Sequence, residues 1–223
     1  MAFGGLLGGR IRPSSRVRAV VSHLVGGLVL GIAAANLMPA ASNSGHTVAL
    51  AIGFSLSFSL LLMINAILEQ PDERHKHGRA RPMLILPFLI DSLIDSVVVG
   101  ISSKAEEQQW VIPVAVALEM GLAPLGLATL IGRSANPWRS ALSGALMAVT
   151  YLIGLSTNLL ITNGLQGPSL TGTIAFCTAA LIYLVVEEVI KEADSRGEDD
   201  SGLVNVAFLF GLLCIWLLDC LTK

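Results

Sequence analysis

Three acidic side chains lie in segments that are otherwise almost entirely apolar. Asp91 and Asp95 occur in the run LIDSLIDSVVVG, and Glu119 occurs in the run VALEMGLAPLG. If these runs cross a bilayer, each charge costs about 2.5 to 3.5 kcal/mol to insert, so such residues are rare and usually functional. Carboxylate oxygens are the ligands that hard divalent cations prefer. The three residues are therefore candidate ligands of an intramembrane cation.

The spacing of the three acids predicts that they meet. Asp91 and Asp95 are four residues apart and share one face of a helix. At 1.5 Å per residue, they lie about 14 and 20 Å from the inner edge of a bilayer, and Glu119, on the next helix, lies about 16 Å from it. The short connection between these helices predicts that they are antiparallel neighbours. We therefore expect the three carboxylates to converge at one level.

Converging carboxylates repel each other unless they are protonated, bound to a cation or surrounded by water. The residues alone leave three interpretations open. The first is a site for a divalent cation, and the second is a proton relay without metal. The third is a set of protonated acids that hydrogen-bond to hold helices together.

Other polar residues in the apolar runs extend this picture. They are candidates for a pathway above and below the carboxylates, although asparagine in a span also serves helix packing. These residues are Ser92, Ser96, Asn36, Asn65, Asn158, Glu187 and Glu188. In the charged segment EQPDERHKHGRARP, His75 and His77 form an HxH pair whose neutral imidazoles are able to capture a transition metal.

Long apolar helices are predicted to carry these residues. The chain of 223 residues is 53% hydrophobic and 13% charged, whereas a soluble domain carries about 25% charged residues. The apolar runs are long enough for helices of about 20 residues that cross a bilayer. We predict an all-α membrane bundle that forms a single domain over residues 1–223. Its seven full transmembrane helices are predicted at residues 18–40, 48–68, 82–102, 110–132, 140–162, 172–191 and 202–221.

The distribution of positive charge predicts the orientation. Twelve of the 14 Lys and Arg residues precede the first span or lie in every second connection, and the positive-inside rule places these segments in the cytoplasm. Residues 1–17 and the loop 69–81 are then cytoplasmic, residues 82–132 form the central site-bearing helix pair, and the C-terminus is extracytoplasmic. We expect an integral protein of a prokaryotic inner (plasma) membrane.

Several classes of function are disfavoured. The net charge of −2, without a basic stripe interleaved with aromatic residues, argues against a nucleic-acid partner. The sequence shows no nucleophile–base pair and no phosphate-binding loop, so we do not expect an enzyme. The three cysteines form neither a disulfide framework nor a CxxC motif. The expected partners are the lipid bilayer and a metal ion, and a homodimer is left open.

Four stretches of the chain resemble the ZIP family of divalent-metal transporters. The run DSLIDS at residues 91–96, followed by Gly100, resembles the family's fourth-helix motif HNxxDGxxxG. Glu119 falls on the first histidine of the fifth-helix HExxHExxG-like motif. The run NLMPA from Asn36 resembles the LHLLPEA-like end of the second helix. The run YLVVEEVIKEA from Tyr183 resembles the YVxVEELIPEA-like run of the seventh. Together these stretches extend over nearly the whole chain.

The resemblance implies a carrier with eight helices and both termini outside, in which residues 1–17 include the remnant of a truncated first helix. It also implies alternating access of a divalent cation, such as zinc, manganese, iron, cadmium or magnesium, to a site formed by Asp91, Asp95 and Glu119. The cation would be the substrate.

The motifs depart from the family pattern where metal would bind. Asp91 and Glu119 replace expected histidines, Ser92 replaces an asparagine, and Asn36 replaces a histidine of the outer helix. A site without imidazole should favour zinc less, and manganese, magnesium or calcium relatively more. The alternative is a degenerate relative that binds no metal and acts as a proton-linked carrier or as a regulatory or scaffolding membrane protein.

Overall fold

The described part of the chain is entirely helical in its regular structure. The computed structural model describes residues 15–68, 81–102, 110–130, 137–161, 164–194 and 201–222. A π-helical turn, Ala33–Leu37, joins the first two helices into one continuous segment. The helices are α1 (Ser15–Ile32), α2 (Met38–Ser42), α3 (Thr47–Leu68), α4 (Arg81–Ser102), α5 (Val111–Leu130), α6 (Pro137–Ile161), α7 (Pro168–Asp194) and α8 (Ser201–Thr222). The all-α prediction is confirmed for these residues.

Five of the described segments are long and apolar enough to cross a membrane. They are Ala19–Ser42, Thr47–Ile67, Ala141–Asn158, Pro168–Glu187 and Gly202–Leu221. Only 17% of the apolar window in α3 and 28% of that in α8 is buried inside the bundle. A soluble protein rarely leaves such large apolar faces in water, whereas lipid solvates them. The chain is therefore a membrane protein whose outer helices contact the bilayer.

The predicted spans 82–102 and 110–132 correspond to α4 and α5, which are helical but are not among these five segments. Within α5, the described side chains include a shorter apolar stretch, Ile112–Leu122. The site-bearing pair thus has the expected secondary structure. Its position across a bilayer stays a prediction.

Pairs of helices pack along much of their lengths: α1 with α8, α3 with α7, and α4 with α6. Glycines permit two of these contacts. The Cα of Gly27 faces the backbone of Phe208, and Gly53 faces the backbone of Gly172, so closely that a Cβ atom would collide with a main chain. Small residues have this role in lipid, where close van der Waals packing rather than the hydrophobic effect holds helices together.

The π-helical turn interrupts the first long segment just before a proline. Pro39 lacks the N–H that would donate to the carbonyl of residue 35 in an α-helix, so a change in hydrogen-bond pattern here has a local cause. The helix resumes at once, and the backbone N–H of Asn43 donates to the carbonyl of Pro39 at 2.9 Å. This turn was not predicted from the sequence.

Candidate cation site

The helices α4 and α5 bring the three predicted acids together. The two helices pack against each other, and one carboxylate oxygen from each of Asp91, Asp95 and Glu119 lies within 4.8 Å of the others. The predicted convergence is therefore confirmed. Its cause is helical geometry, because the i, i+4 spacing puts both aspartates on the α4 face that meets Glu119.

Two of the three acids in the cluster are deeply buried. Asp95 is 1% exposed, Glu119 is 2% exposed and Asp91 is half-buried. Neither carboxylate oxygen of Asp95 has a hydrogen-bond partner among the described residues. An ionised carboxylate in such surroundings is costly unless a proton or a cation neutralises it. Asp95 therefore needs a positive partner that the described side chains do not supply.

Repulsion within the cluster strengthens this requirement. Two unit charges no more than 4.8 Å apart repel each other by at least about 3.5 kcal/mol at an effective dielectric constant of about 20. A point at the centre of an equilateral triangle with sides of at most 4.8 Å lies no more than about 2.8 Å from each corner, close to the 2.0 to 2.6 Å that Mg²⁺ and Ca²⁺ keep from oxygen. Small side-chain adjustments would allow one divalent ion to contact all three residues.

Hydrogen bonds tie α4 to α6 on both sides of Asp95. The hydroxyl of Ser92 donates to the carbonyl of Met147 at 2.9 Å. The side-chain amide of Asn158 donates to the carbonyl of Val97 at 2.8 Å and to that of Ser96 at 3.3 Å. These contacts hold the aspartate-bearing part of α4 in a defined position against α6.

The structure places the other predicted pathway residues in several environments. The hydroxyl of Ser96 donates to the carbonyl of Leu93 in its own helix. Asn65 on α3 and Glu187 on α7 are half-buried. The side chain of Glu188 lies outside the described residues, and so do His75 and His77. A pathway role for Ser92, Ser96, Asn65, Asn158, Glu187 and Glu188, and metal capture by the histidine pair, stay predictions.

Asn36 lies within the π-helical turn and is half-buried. Its amide nitrogen and oxygen are both buried, and neither has a hydrogen-bond partner among the described residues. A buried amide without partners costs about 1 to 3 kcal/mol on the basis of mutational data. π-turns are frequent at functional sites, and the pathway role of Asn36 stays a prediction.

Three further side chains that carry polar chemistry inside the bundle were not identified from the sequence. Tyr151 of α6 and Cys177 of α7 lie within electrostatic range of Asp95, so α6 and α7 also border the site. Asp219 of α8 is 8% exposed. An acid in the apolar run GLLCIWLLDCLT was a visible signal for Asp219. No sequence signal identified Tyr151 or Cys177, because their position depends on packing between distant segments.

No protein-family model matches the chain, and no curated protein matches it significantly.

Proposed function

We propose that the protein is a ZIP-like membrane carrier that moves a divalent cation through the cluster formed by Asp91, Asp95 and Glu119. The substrate is a metal ion that accepts an all-oxygen site, with manganese and magnesium favoured over zinc because the cluster lacks imidazole. Alternating access would expose the cluster to each side of the membrane in turn.

One observation carries the proposal. A fully buried carboxylate, Asp95, has no hydrogen-bond partner among the described residues and lies within 4.8 Å of two further carboxylates. Packing alone gives no reason to concentrate three like charges in a membrane bundle, since the cost of each is several kcal/mol. A divalent cation balances two of the three charges, and the third is balanced by one proton.

The wider architecture in the proposal has seven transmembrane helices, with α4 and α5 as the third and fourth. The pairs α1 with α8 and α3 with α7 form one helix group, which includes a close glycine contact in each pair. The hydrogen-bonded pair α4 and α6 belongs to a second group, and α5 lies between the groups, because it packs against both α1 and α4. Movement of one group against the other would open the cluster to either side, as in carriers built from two helix groups.

The test is direct measurement of ion binding by the purified protein. Titration calorimetry with Mn²⁺, Mg²⁺, Zn²⁺ and Cd²⁺ should show binding of at least one ion to the native chain. The Asp95→Asn variant, which keeps the shape and removes the charge, should bind that ion at least tenfold more weakly, a loss of about 1.4 kcal/mol or more.

Asp219→Asn is the matched control, since it removes a buried acid on α8 outside the cluster. Its affinity should stay within twofold of the native value. Absence of heat with all four ions, or equal effects of the two variants, would contradict a cation site at the cluster. Binding without ion flux in proteoliposomes would favour the regulatory or scaffolding alternative, and proton uptake without metal binding would favour the proton-linked carrier.

A further inference from the structure

A cleft of about 250 Å³ lies between α5 and α6. Its α5 side is a single helical stripe at spacings of three and four residues, and Tyr151 of α6 forms the opposite wall. The α5 residues that line it are Pro113, Val116, Ala117, Met120 and Gly121. None of these residues belongs to the carboxylate cluster, so the cleft is a separate feature that borders it.

The cleft leads from one end of α5 to the level of the carboxylates. Pro113 is two residues after the start of α5 at Val111, and Gly121 is about 12 Å further along the helix axis. At this inner end, Met120 directly follows Glu119 in the chain. Tyr151 lies within electrostatic range of Asp95. The cleft lies along α5, which carries Glu119, and against α6, which packs on the aspartate-bearing helix α4 through contacts that include the hydrogen bond from Ser92 to the carbonyl of Met147.

The residues that line the cleft differ in their exposure. Ala117 and Gly121 are exposed, and a Cβ atom added at Gly121 would meet no other atom within 4 Å. Val116, three residues before Glu119, and Met120, directly after it, are 2% and 3% exposed and form a buried apolar part of the lining. Short apolar constrictions control ion passage through their wetting in channels with hydrophobic gates.

We infer that the α5–α6 cleft is the route by which a hydrated divalent cation reaches the carboxylate cluster from the side of the membrane where α5 begins. Met120 forms the apolar barrier at its inner end. The phenol of Tyr151 supplies a hydrogen-bonding group next to that barrier, which is able to interact with the water around the ion. This inference rests on the proposed function, because it assumes that the cluster binds a cation.

The test compares the reactivity of two introduced thiols in liposomes. The more accessible native thiols are first removed by Cys214→Ala and Cys220→Ala, and this background must bind Mn²⁺ as the native chain does. Cys177, which is 3% exposed, is kept because it lies beside the site. Gly121→Cys places a thiol in the cleft. The matched control, Leu118→Cys, places one on an exposed part of α5 that does not line the cleft. The probe is a cationic, membrane-impermeant methanethiosulfonate.

Gly121→Cys should react at least tenfold faster than Leu118→Cys, because water fills the cleft whereas acyl chains cover Leu118. After labelling, Mn²⁺ flux through the Gly121→Cys protein should fall at least tenfold, and flux through the labelled control should be unchanged. A second cleft variant, Ala117→Cys, should behave like Gly121→Cys and guards against a folding defect in a single variant.

Two results would overturn the inference and leave the proposed function intact. One is equally slow labelling of all three thiols, which would mean that lipid acyl chains fill the cleft. The other is fast labelling of the cleft without any change in Mn²⁺ flux, which would place the access route elsewhere. If the native chain bound none of Mn²⁺, Mg²⁺, Zn²⁺ and Cd²⁺ in calorimetry, the proposed function and this inference would fall together, which is a distinguishable outcome.

Discussion

Asp95 is the residue around which the candidate site is organised. Its carboxylate is buried, has no hydrogen-bond partner among the described residues, and lies beside Asp91 and Glu119. Protons and metal ions therefore compete for the same negative charge. This competition gives the site a pH dependence whose sign follows from the charges alone, because each proton bound removes a charge that attracts the cation.

We expect Mn²⁺ affinity to fall as the pH decreases. At low pH the carboxylates hold protons that the ion must displace, and at higher pH they do not. If one proton leaves for each ion bound, affinity changes about tenfold per pH unit. Calorimetry over about two pH units, repeated in buffers of different ionisation enthalpy, measures the number of protons released. An affinity that does not change with pH would show that no proton is displaced.

Replacement of Asp91 by histidine should shift the metal preference towards zinc. Asp91 is half-buried, so it has more room for an imidazole than the fully buried Asp95. Because imidazole suits zinc and carboxylate suits manganese, the ratio of Zn²⁺ to Mn²⁺ affinity in Asp91→His should rise about tenfold or more. Competition titrations measure this ratio. Asp219→His serves as a control outside the cluster. If Asp91→His had the same ratio of affinities as the native protein, this would argue against Asp91 as a ligand.

At the scale of the helices, the position of the site depends on close contacts between elements far apart in the chain. Ser92 and Asn158 link α4 to α6, and a Cβ atom at Gly100 would collide with the side chain of Asn158. The pair α1 and α8 depends on glycine in a different way, since a Cβ at Gly27 would collide with the backbone of Phe208. A backbone atom is unable to rotate out of the way, so the contact at Gly27 tolerates an added side chain less well than the contact at Gly100.

Two neighbouring glycines give a matched test of that contact. Gly27→Ala should destabilise the protein by about 1 to 3 kcal/mol through overpacking. At Gly26, the nearest atom to an added Cβ is a side-chain carbon at 3.5 Å, an ordinary contact. Gly26→Ala should therefore be neutral or stabilising by up to about 1 kcal/mol, since alanine is the better helix former. The unfolding temperature in detergent distinguishes the variants, and equal shifts would contradict the close backbone approach of α8 at Gly27.

At the scale of the complete bundle, the exposed apolar faces indicate which helices contact lipid, and the positive charges indicate which ends face the cytoplasm. Large apolar side chains are exposed along α3, α6 and α8, and these helices must contact lipid. Twelve of the 14 Lys and Arg residues lie before the predicted first span or in alternate predicted connections, which predicts which ends face the cytoplasm. Lipid contact follows from the structure, whereas the direction of insertion depends on the charge pattern.

Reporter fusions test the predicted orientation. Alkaline phosphatase, which is active only outside the cytoplasm, should be active when fused after Lys223. The same enzyme inserted into the loop 69–81, which holds four Lys and Arg residues at 74–81, should be inactive. Activity at the loop and none at the C-terminus would reverse the orientation, and activity at both positions would exclude the predicted odd number of spans between them.

The sequence was sufficient to predict the all-helical class and the acidic cluster. Predicted and observed helices differ mainly at their ends: the first span is predicted at 18–40, and the helical segment that contains it runs from Ser15 to Ser42. The π-turn at Ala33–Leu37 was not predicted, because the switch from i+4 to i+5 hydrogen bonds leaves the apolar pattern intact. Tyr151 was missed for another reason, since α6 is brought beside Asp95 only by packing.

The apolar patterning was enough to predict helices, and the rise per residue was enough to predict similar depths for Asp91, Asp95 and Glu119, because it converts spacing along the chain directly into depth. What surrounds those acids could not be predicted in this way. The helix pairing, the burial of Asp95 without a hydrogen-bond partner among the described residues and the cleft beside Tyr151 all depend on contacts between distant segments. Depth is a local property of one helix, whereas lateral position depends on how every helix rotates and packs against its neighbours.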